Sequence, residues 1–425
     1  MCEGCKIISK LSRDTKKSRI AFFAEGITLT HAVRPAILAK WAAESGYQVF
    51  LATGDNYKEF IEHEIAGTGV SLVPIRTQPA GDFLERLYRG LSVLDVPDLI
   101  SAIEEDLRVL PEIAPDLVVG DMHLSLGISA RLCKLPYALW LDPGLSRCTQ
   151  QEYIVPNHYI LGKFGTKLAQ RIFNAIRPLA FYEQSKPYNY VRKRYGLKPI
   201  TPHLFDVYAD ADYVLYPDIE EFNPPQNLPS HHHYIGPIIW SPKIPEPTWW
   251  HKLRKDVPIV YVNLGSSGPA RLLPQIITAV AELPVQVIAG TAGRKVEMGQ
   301  LPGNVFLGEF LPADQCMAAA SVVINSGSPT AFYHAFKVSE APILGIPEHM
   351  ASHLGMQILT RAGAGVIMLP AEISSERIKA TVASMLKDTK MKEAVRTMKE
   401  KVRQTDSKRK FLEFLSGALG NGRLS

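Results

Sequence analysis

Two short stretches of this 425-residue chain combine glycine with hydroxyl side chains where a strand should give way to a helix, a combination that can hold a phosphate. In VNLGSSG, residues 262–268, Gly265 lets backbone amides approach an anion and Ser266 and Ser267 add hydroxyl donors. A helix expected past Pro269 turns its positive N-terminal end toward the same point. In NSGSPT, residues 325–330, the pattern recurs with Asn325, Ser326, Gly327, Ser328 and Thr330. One such turn occurs in many α/β proteins for geometric reasons alone. Two in one domain can clamp a diphosphate.

These turns need strands and helices to aim them. Residues 19–24 read as a short buried strand, 25–30 as a loop, 33–45 as a helix ended by Gly46, and 47–53 as the next strand. Apolar runs at 117–119, 137–141 and 213–216, set among helical segments, argue for a parallel sheet covered by helices. Residues 235–258 are dense in Pro and Trp and read as an interdomain linker. The rhythm then restarts, with strands expected at 259–264, 285–289, 321–325 and 342–346 and helices at 272–282, 314–320 and 331–337. The fold expected is α/β, two Rossmann-like doubly wound domains facing a central cleft, with ligands at the carboxyl ends of the strands. The first domain is placed at 1–240 and the second at 241–404, with a C-terminal helix at about 405–425 packing back onto the first.

Composition narrows the function. A hydrophobic fraction of 46% and a charged fraction of 21% are those of a globular protein. The 47 basic and 42 acidic residues are too evenly matched for a dedicated nucleic-acid binder. Basic residues gather in the N-terminal tail, at 186–198 and at 387–410, which reads either as solvated helix faces or as contact with an acidic lipid surface. Five cysteines suggest no disulfide framework and fit a reducing compartment. Cys2 and Cys5 form a lone CxxC, read as part of a flexible tail rather than a metal site. The N-terminus carries no apolar run of signal-peptide length, and no window reaches ~18 uncharged apolar residues. A cytoplasmic protein is expected, with the inner face of the membrane as an alternative location. His231, His232 and His233 read as a loop, and three consecutive imidazoles cannot all face one ion, so no metal site is expected there.

The stretch 310–368 resembles the C-terminal signature of the UDP- and dTDP-sugar glycosyltransferases that include plant and macrolide enzymes. Leu311 and Pro312 match its base-contacting start, Gly327 its second glycine and Thr330 its small hydroxyl. Ala341 and Pro342 stand at its Val-Pro, Gly363 and Gly365 at its closing pair, and Gly265 with Ser266 at its other diphosphate loop. The resemblance implies a GT-B fold, a nucleotide-sugar co-substrate, no further cofactor and no metal. It also shows departures. The family's phosphate-contacting His is Asn325, which can donate a hydrogen bond without carrying charge. The first glycine is Ser326, and the ribose-binding Glu falls at Tyr333 or His334. The Asp-Gln pair that grips sugar hydroxyls falls at Ala351 and Ser352, with His349, Ser352 and His353 as the nearby polar side chains.

More thinly, the resemblance extends to the N-terminal half, where AFFAEGITLTHAVRP stands at the family's strand and GHxxP loop. An inverting transferase needs a base near the acceptor hydroxyl, and an imidazole suits that work. His31 is the candidate, and Asp121, ending PDLVVGD where the family carries its His-orienting Asp, would fix its tautomer. Asp142, after YALWLD, is an alternative carboxylate, and Glu25 and His123 fall in expected strand-end loops near the acceptor. The region 145–190, holding Tyr153, Tyr159, Phe164, Phe173, Phe181 and Tyr182, reads either as an acceptor pocket for a small or lipid aglycone or as helix packing. The leading function is inverting, metal-independent sugar transfer from a UDP or dTDP sugar to a hydroxyl. The alternatives are a silent or regulatory nucleotide-binding protein and a sugar-nucleotide epimerase or hydrolase.

Overall fold

The apolar runs assemble into two separate parallel sheets. The computed structural model describes residues 17–88, 91–93, 95–149, 152–153, 166–266 and 268–421. Cys2, Cys5, Tyr159, Phe164 and Ser267 lie outside these described residues.

The first sheet contains β1 (Arg19–Ala24), β2 (Gln48–Thr53), β3 (Ser71–Pro74), β4 (Leu117–Asp121), β5 (Tyr137–Trp140), β6 (Tyr213–Tyr216) and β7 (His232–Tyr234). Their spatial order is β3-β2-β1-β4-β5-β6-β7. The second contains β8 (Ile259–Asn263), β9 (Gln286–Gly290), β10 (Val305–Gly308), β11 (Val322–Asn325), β12 (Ile343–Gly345) and β13 (Gly365–Ile367), in the order β10-β9-β8-β11-β12-β13. Each central strand is apolar on both faces because helices cover both. In β1, Phe22 packs toward one helical layer and Phe23 toward the other, and both are fully buried. Such a doubly wound sheet opens a crevice where the strand order reverses, here between β1 and β4 and between β8 and β11.

Two local expectations change. The first helix runs Leu29–Glu44, four residues earlier than its apolar periodicity suggests, because Thr28 is extended and its hydroxyl accepts from the His31 amide as an N-cap. Pro35, inside this helix, leaves the His31 carbonyl without the bond that a residue with an N–H would give it. Residue 31 therefore stands in the first helical turn rather than in a loop. The histidine run, read as a loop, contributes β7, an edge strand pairing β6 in register Leu215 to His233.

Residues 235–258 carry a single turn of 3-10 helix at Trp250–Lys252. The last helix, Ser407–Asn421, returns to the first sheet, where Phe411 and Leu415 are fully buried against Ile20, Phe22 and Ala24. Burying side chains of this size is worth about 1.5–3 kcal/mol each, which fixes the chain end there. Both crossings between the halves touch: Ser407 Oγ donates to the Pro237 carbonyl at 2.9 Å.

Candidate functional site

The two switch points face one another across a cavity of about 330 Å³. On the first wall, Ala24 and Asp121 are register partners at the ends of β1 and β4. His31 Nδ1 lies 2.7 Å from Asp121 Oδ1, with Asp121 fully buried and the imidazole about a quarter exposed to the cavity. A carboxylate can only accept, so the ring proton sits on Nδ1 and the lone pair on Nε2. Asp121 Oδ2 is buried with no hydrogen-bond partner. An imidazolium forming at His31 would find an uncompensated negative charge behind it. A general base with an orienting carboxylate would call for such an arrangement.

The second wall is built from two matching turns. Asn263 and Asn325 are register partners at the ends of β8 and β11. The Asn263 Oδ1 accepts from the Gly265 amide at 2.9 Å, and the Asn325 Oδ1 accepts from the Gly327 amide at 2.8 Å. Both glycines are left-handed, at φ 68° and 75°. A side chain there would be strained, and at Gly327 it would meet Met356 as well. The turns differ in one respect. Asn263 spends its amide nitrogen on the Tyr261 hydroxyl, whereas Asn325 Nδ2 is buried with no partner. The helix Pro329–Val338 follows, capped by Ser328, whose hydroxyl accepts from the Ala331 amide, and its N-terminus opens on the same cavity.

Most of the expected donor residues gather here. Gly265, Ser266, Leu311, Asn325, Ser326, Ser328, Thr330, His334 and Ser352 line the cavity. Gly327 shapes its turn, and Pro312 lies on an adjoining hollow with Ser241 and Asp314. Of the two positions offered for the ribose contact, His334 faces the cavity and pairs through Nε2 with Asp314. Tyr333 is buried and donates to Asp218 in the other half of the molecule. His349 and Ser352 line the cavity, whereas His353 is buried beside Gln357, 3.4 Å from its amide, where burial draws the imidazole pKa down to about 4.

The acceptor candidates divide. Asp142 lines the cavity. Glu25 and His123 fold beneath it: His123 is 2% exposed, with Nδ1 2.7 Å from Glu25 Oε1 and Nε2 2.7 Å from Asp106 Oδ1. Burial alone would pull the His123 pKa down, but the two carboxylates outweigh it and hold it well above the ordinary imidazole value. His123 Nδ1 makes no hydrogen bond despite its approach to Glu25, and the cluster lies under the His31–Asp121 pair, off the cavity lining. Tyr153 packs against Phe181 and Phe205, with ring centroids 6.0 and 5.8 Å away, so aromatic packing decides its place.

Sequence reasoning missed Arg34, Tyr261 and Asn263, which line the cavity. Asn263 had a signal in the Asn-x-Gly spacing it shares with Asn325. On the outer face of the helix Thr166–Arg194, Leu168, Ile176, Leu179, Tyr182 and Tyr190 are exposed among Arg171, Lys193, Arg194 and a Lys186 that pairs with Glu183 at 2.7 Å. Among the described residues no helix is long and apolar enough to cross a membrane.

Known proteins resemble this architecture. Residues 274–408 match the family described as erythromycin biosynthesis protein CIII-like, C-terminal domain. A PGL/p-HBAD biosynthesis glycosyltransferase of Mycobacterium tuberculosis is 36% identical over 386 residues, covering 91% of this chain and 89% of that protein. A PGL/p-HBAD biosynthesis rhamnosyltransferase of Mycobacterium bovis is 36% identical over 384 residues, 89% of this chain and 83% of that one. The solved spinosyn rhamnosyltransferase SpnG complexed with thymidine diphosphate shares the fold, with a TM-score of 0.63 at 18% identity, covering 94% of this chain and 100% of that one. With this identity sustained along most of its length and its two facing sheets, the chain belongs to the GT-B glycosyltransferases of the macrolide, erythromycin CIII-like family.

Proposed function

We propose that the protein is an inverting glycosyltransferase that moves a sugar from a thymidine or uridine diphosphate sugar to a hydroxyl of a small-molecule or lipid acceptor. The observation that carries this reading is the His31–Asp121 contact of 2.7 Å, opening on the same cavity as the Asn263 and Asn325 turns. His31 Nε2 takes the proton of the acceptor hydroxyl as its oxygen attacks the anomeric carbon. The bond to the diphosphate breaks on the opposite side of that carbon, so a single displacement inverts its configuration. The negative charge that develops on the leaving diphosphate meets the turn amides other than those of Gly265 and Gly327, the N-terminus of Pro329–Val338 and the free Nδ2 of Asn325. In this scheme residues 1–240 hold the acceptor and 241–404 the donor.

The relatives named for PGL/p-HBAD biosynthesis and rhamnosyl transfer, and the thymidine diphosphate bound to SpnG, support a thymidine diphosphate deoxyhexose as the first donor to try. Replacing His31 with Ala should lower kcat by about 10²–10⁴-fold while the Kd of thymidine diphosphate stays within twofold. Unchanged turnover would sink the base assignment. A lipid acceptor is supported by the apolar, cation-flanked outer face of Thr166–Arg194, which fits peripheral contact with an acidic lipid surface. Co-sedimentation with phosphatidylglycerol vesicles should weaken in a Leu179→Glu, Tyr190→Glu variant; equal sedimentation of both proteins would refute the contact.

A further inference from the structure

The cavity holds a charged pair for which the displacement chemistry has no use. Arg34 lies three residues after His31 on Leu29–Glu44, hence on the same helix face, and a long helical side chain leans back toward the N-terminus and the cleft. Its side chain is only 8% exposed, yet it lines the cavity and its Nε has no hydrogen-bond partner. The nearest carboxylate is Asp142, which follows β5 and also lines the cavity, with Oδ1 3.8 Å from Nη1, too far for a hydrogen bond. Behind the guanidinium stands the Trp140 ring, 5.9 Å from its central carbon, and the indole Nε1 is likewise buried without a partner. A buried guanidinium is tolerated when its donors are used. Here the buried Nε has no partner while the side chain borders a ligand-sized space, and among the described residues no other Lys or Arg lines it.

The chemistry of the pair selects its ligand. Arg34 only donates and Asp142 only accepts, whereas a hydroxyl does both, so one hydroxyl or a vicinal pair can bridge the 3.8 Å gap and satisfy both. An anion would gain from Arg34 but lie against Asp142. On the opposite wall Ala351 and Ser352 stand where the resembling family grips sugar hydroxyls with Asp and Gln, so that wall keeps polar groups such as Ser352 and Glu309 but not that pair. We propose that Arg34 and Asp142 together read hydroxyl groups of a sugar in the cleft, supplying from the first wall a paired donor and acceptor in place of the Asp and Gln that the second wall lacks. This rests on the glycosyl-transfer reading. The sugar is either the one carried by the donor or one already attached to the acceptor.

The test compares the full-length protein with Arg34→Met and Asp142→Asn by calorimetric titration of thymidine diphosphate and of thymidine diphosphate-L-rhamnose. Saturation-transfer NMR with methyl α-L-rhamnoside is then run on protein saturated with the nucleotide. If the donor sugar is read, both variants keep the Kd of the plain nucleotide within twofold, while that of the sugar nucleotide rises about tenfold or more. If the acceptor's sugar is read, both titrations stay unchanged and the methyl rhamnoside signal disappears. Arg34→Lys, which keeps charge but not the planar fork, should fall between parent and Arg34→Met. The proposal is overturned if no probe changes, or if the plain nucleotide weakens as much as the sugar nucleotide, which would assign Arg34 to the diphosphate. A parent protein that binds none of the thymidine, uridine and guanosine diphosphates would instead overturn the donor reading on which the proposal stands. The intact affinity for plain nucleotide serves as the folding control for both variants.

Discussion

The two walls of the cleft occupy equivalent places in their sheets, yet they are built from different materials. At the β1/β4 switch point, charged and titratable side chains meet: His31 with Asp121 in front, Glu25, His123 and Asp106 behind. At β8/β11 the working parts are backbone, two Asn-x-Gly turns and a capped helix end. Under the proposed transfer the difference follows from two tasks. A proton must be taken from one atom, which needs a single side chain in a fixed tautomer. A diphosphate presents many oxygens, which a nest of amides can meet without any charge of its own. Hence the first wall should be sensitive to electrostatics and the second to backbone shape.

The largest effect is expected from the support of the first wall. Replacing His123 with Leu leaves Glu25 and Asp106 buried together without their cation, at a cost of about 3–5 kcal/mol. Thermal melting should show a fall of ten degrees or so, and a melting point within two degrees of the parent would mean that the cluster is not held by charge. On the second wall, Asn325→Ala removes both the acceptor for the Gly327 amide and the free Nδ2. The Kd of thymidine diphosphate should rise about tenfold with little change in melting point. If kcat fell at unchanged Kd, the contrast between the walls would be wrong.

The smallest effect joins the walls. Burial raises the Asp218 carboxyl to about 7, against hydrogen bonds from Tyr333 and the Ile219 amide. Because the folded state holds this proton more tightly than the unfolded one, its contribution is full below about pH 4 and is lost as pH rises toward 7. Asp218→Asn should therefore melt progressively higher than the parent between pH 5 and pH 8, by a few degrees at the upper end. A constant difference across that range would show that Asp218 does not titrate there.

How much of this was legible follows from what each residue type reports. Buried parallel strands announce themselves as apolar runs, so β1, β4, β6, β8 and β11 could be found from the sequence, and strand ends point to clefts. The same rule put Glu25 and His123 beside the substrate, because a strand-end position fixes where the backbone goes and not whether a side chain turns up into the cleft or down under it. Arg34 was missed for a related reason: an arginine in a helix reads as solvent-facing, and only the packing of Leu29–Glu44 against the sheet puts it inside. The edge strand β7 was hidden because His231, His232 and His233 carry little strand propensity, and its pairing with β6 supplies what local preference does not.

The chain passes between its two halves at residues 235–258 and again near residue 405, and the passages lie side by side, with Ser407 on Pro237 and Gly236 so close to Thr405 and Ser407 that an alanine methyl would clash. Two passages packed against each other form one seam between the halves. The seam is backed by bonds elsewhere between the halves, from Tyr333 to Asp218 and from Gln357 to the Glu152 carbonyl. The separation of His31 from the Asn325 turn therefore rests on the seam and on these bonds together.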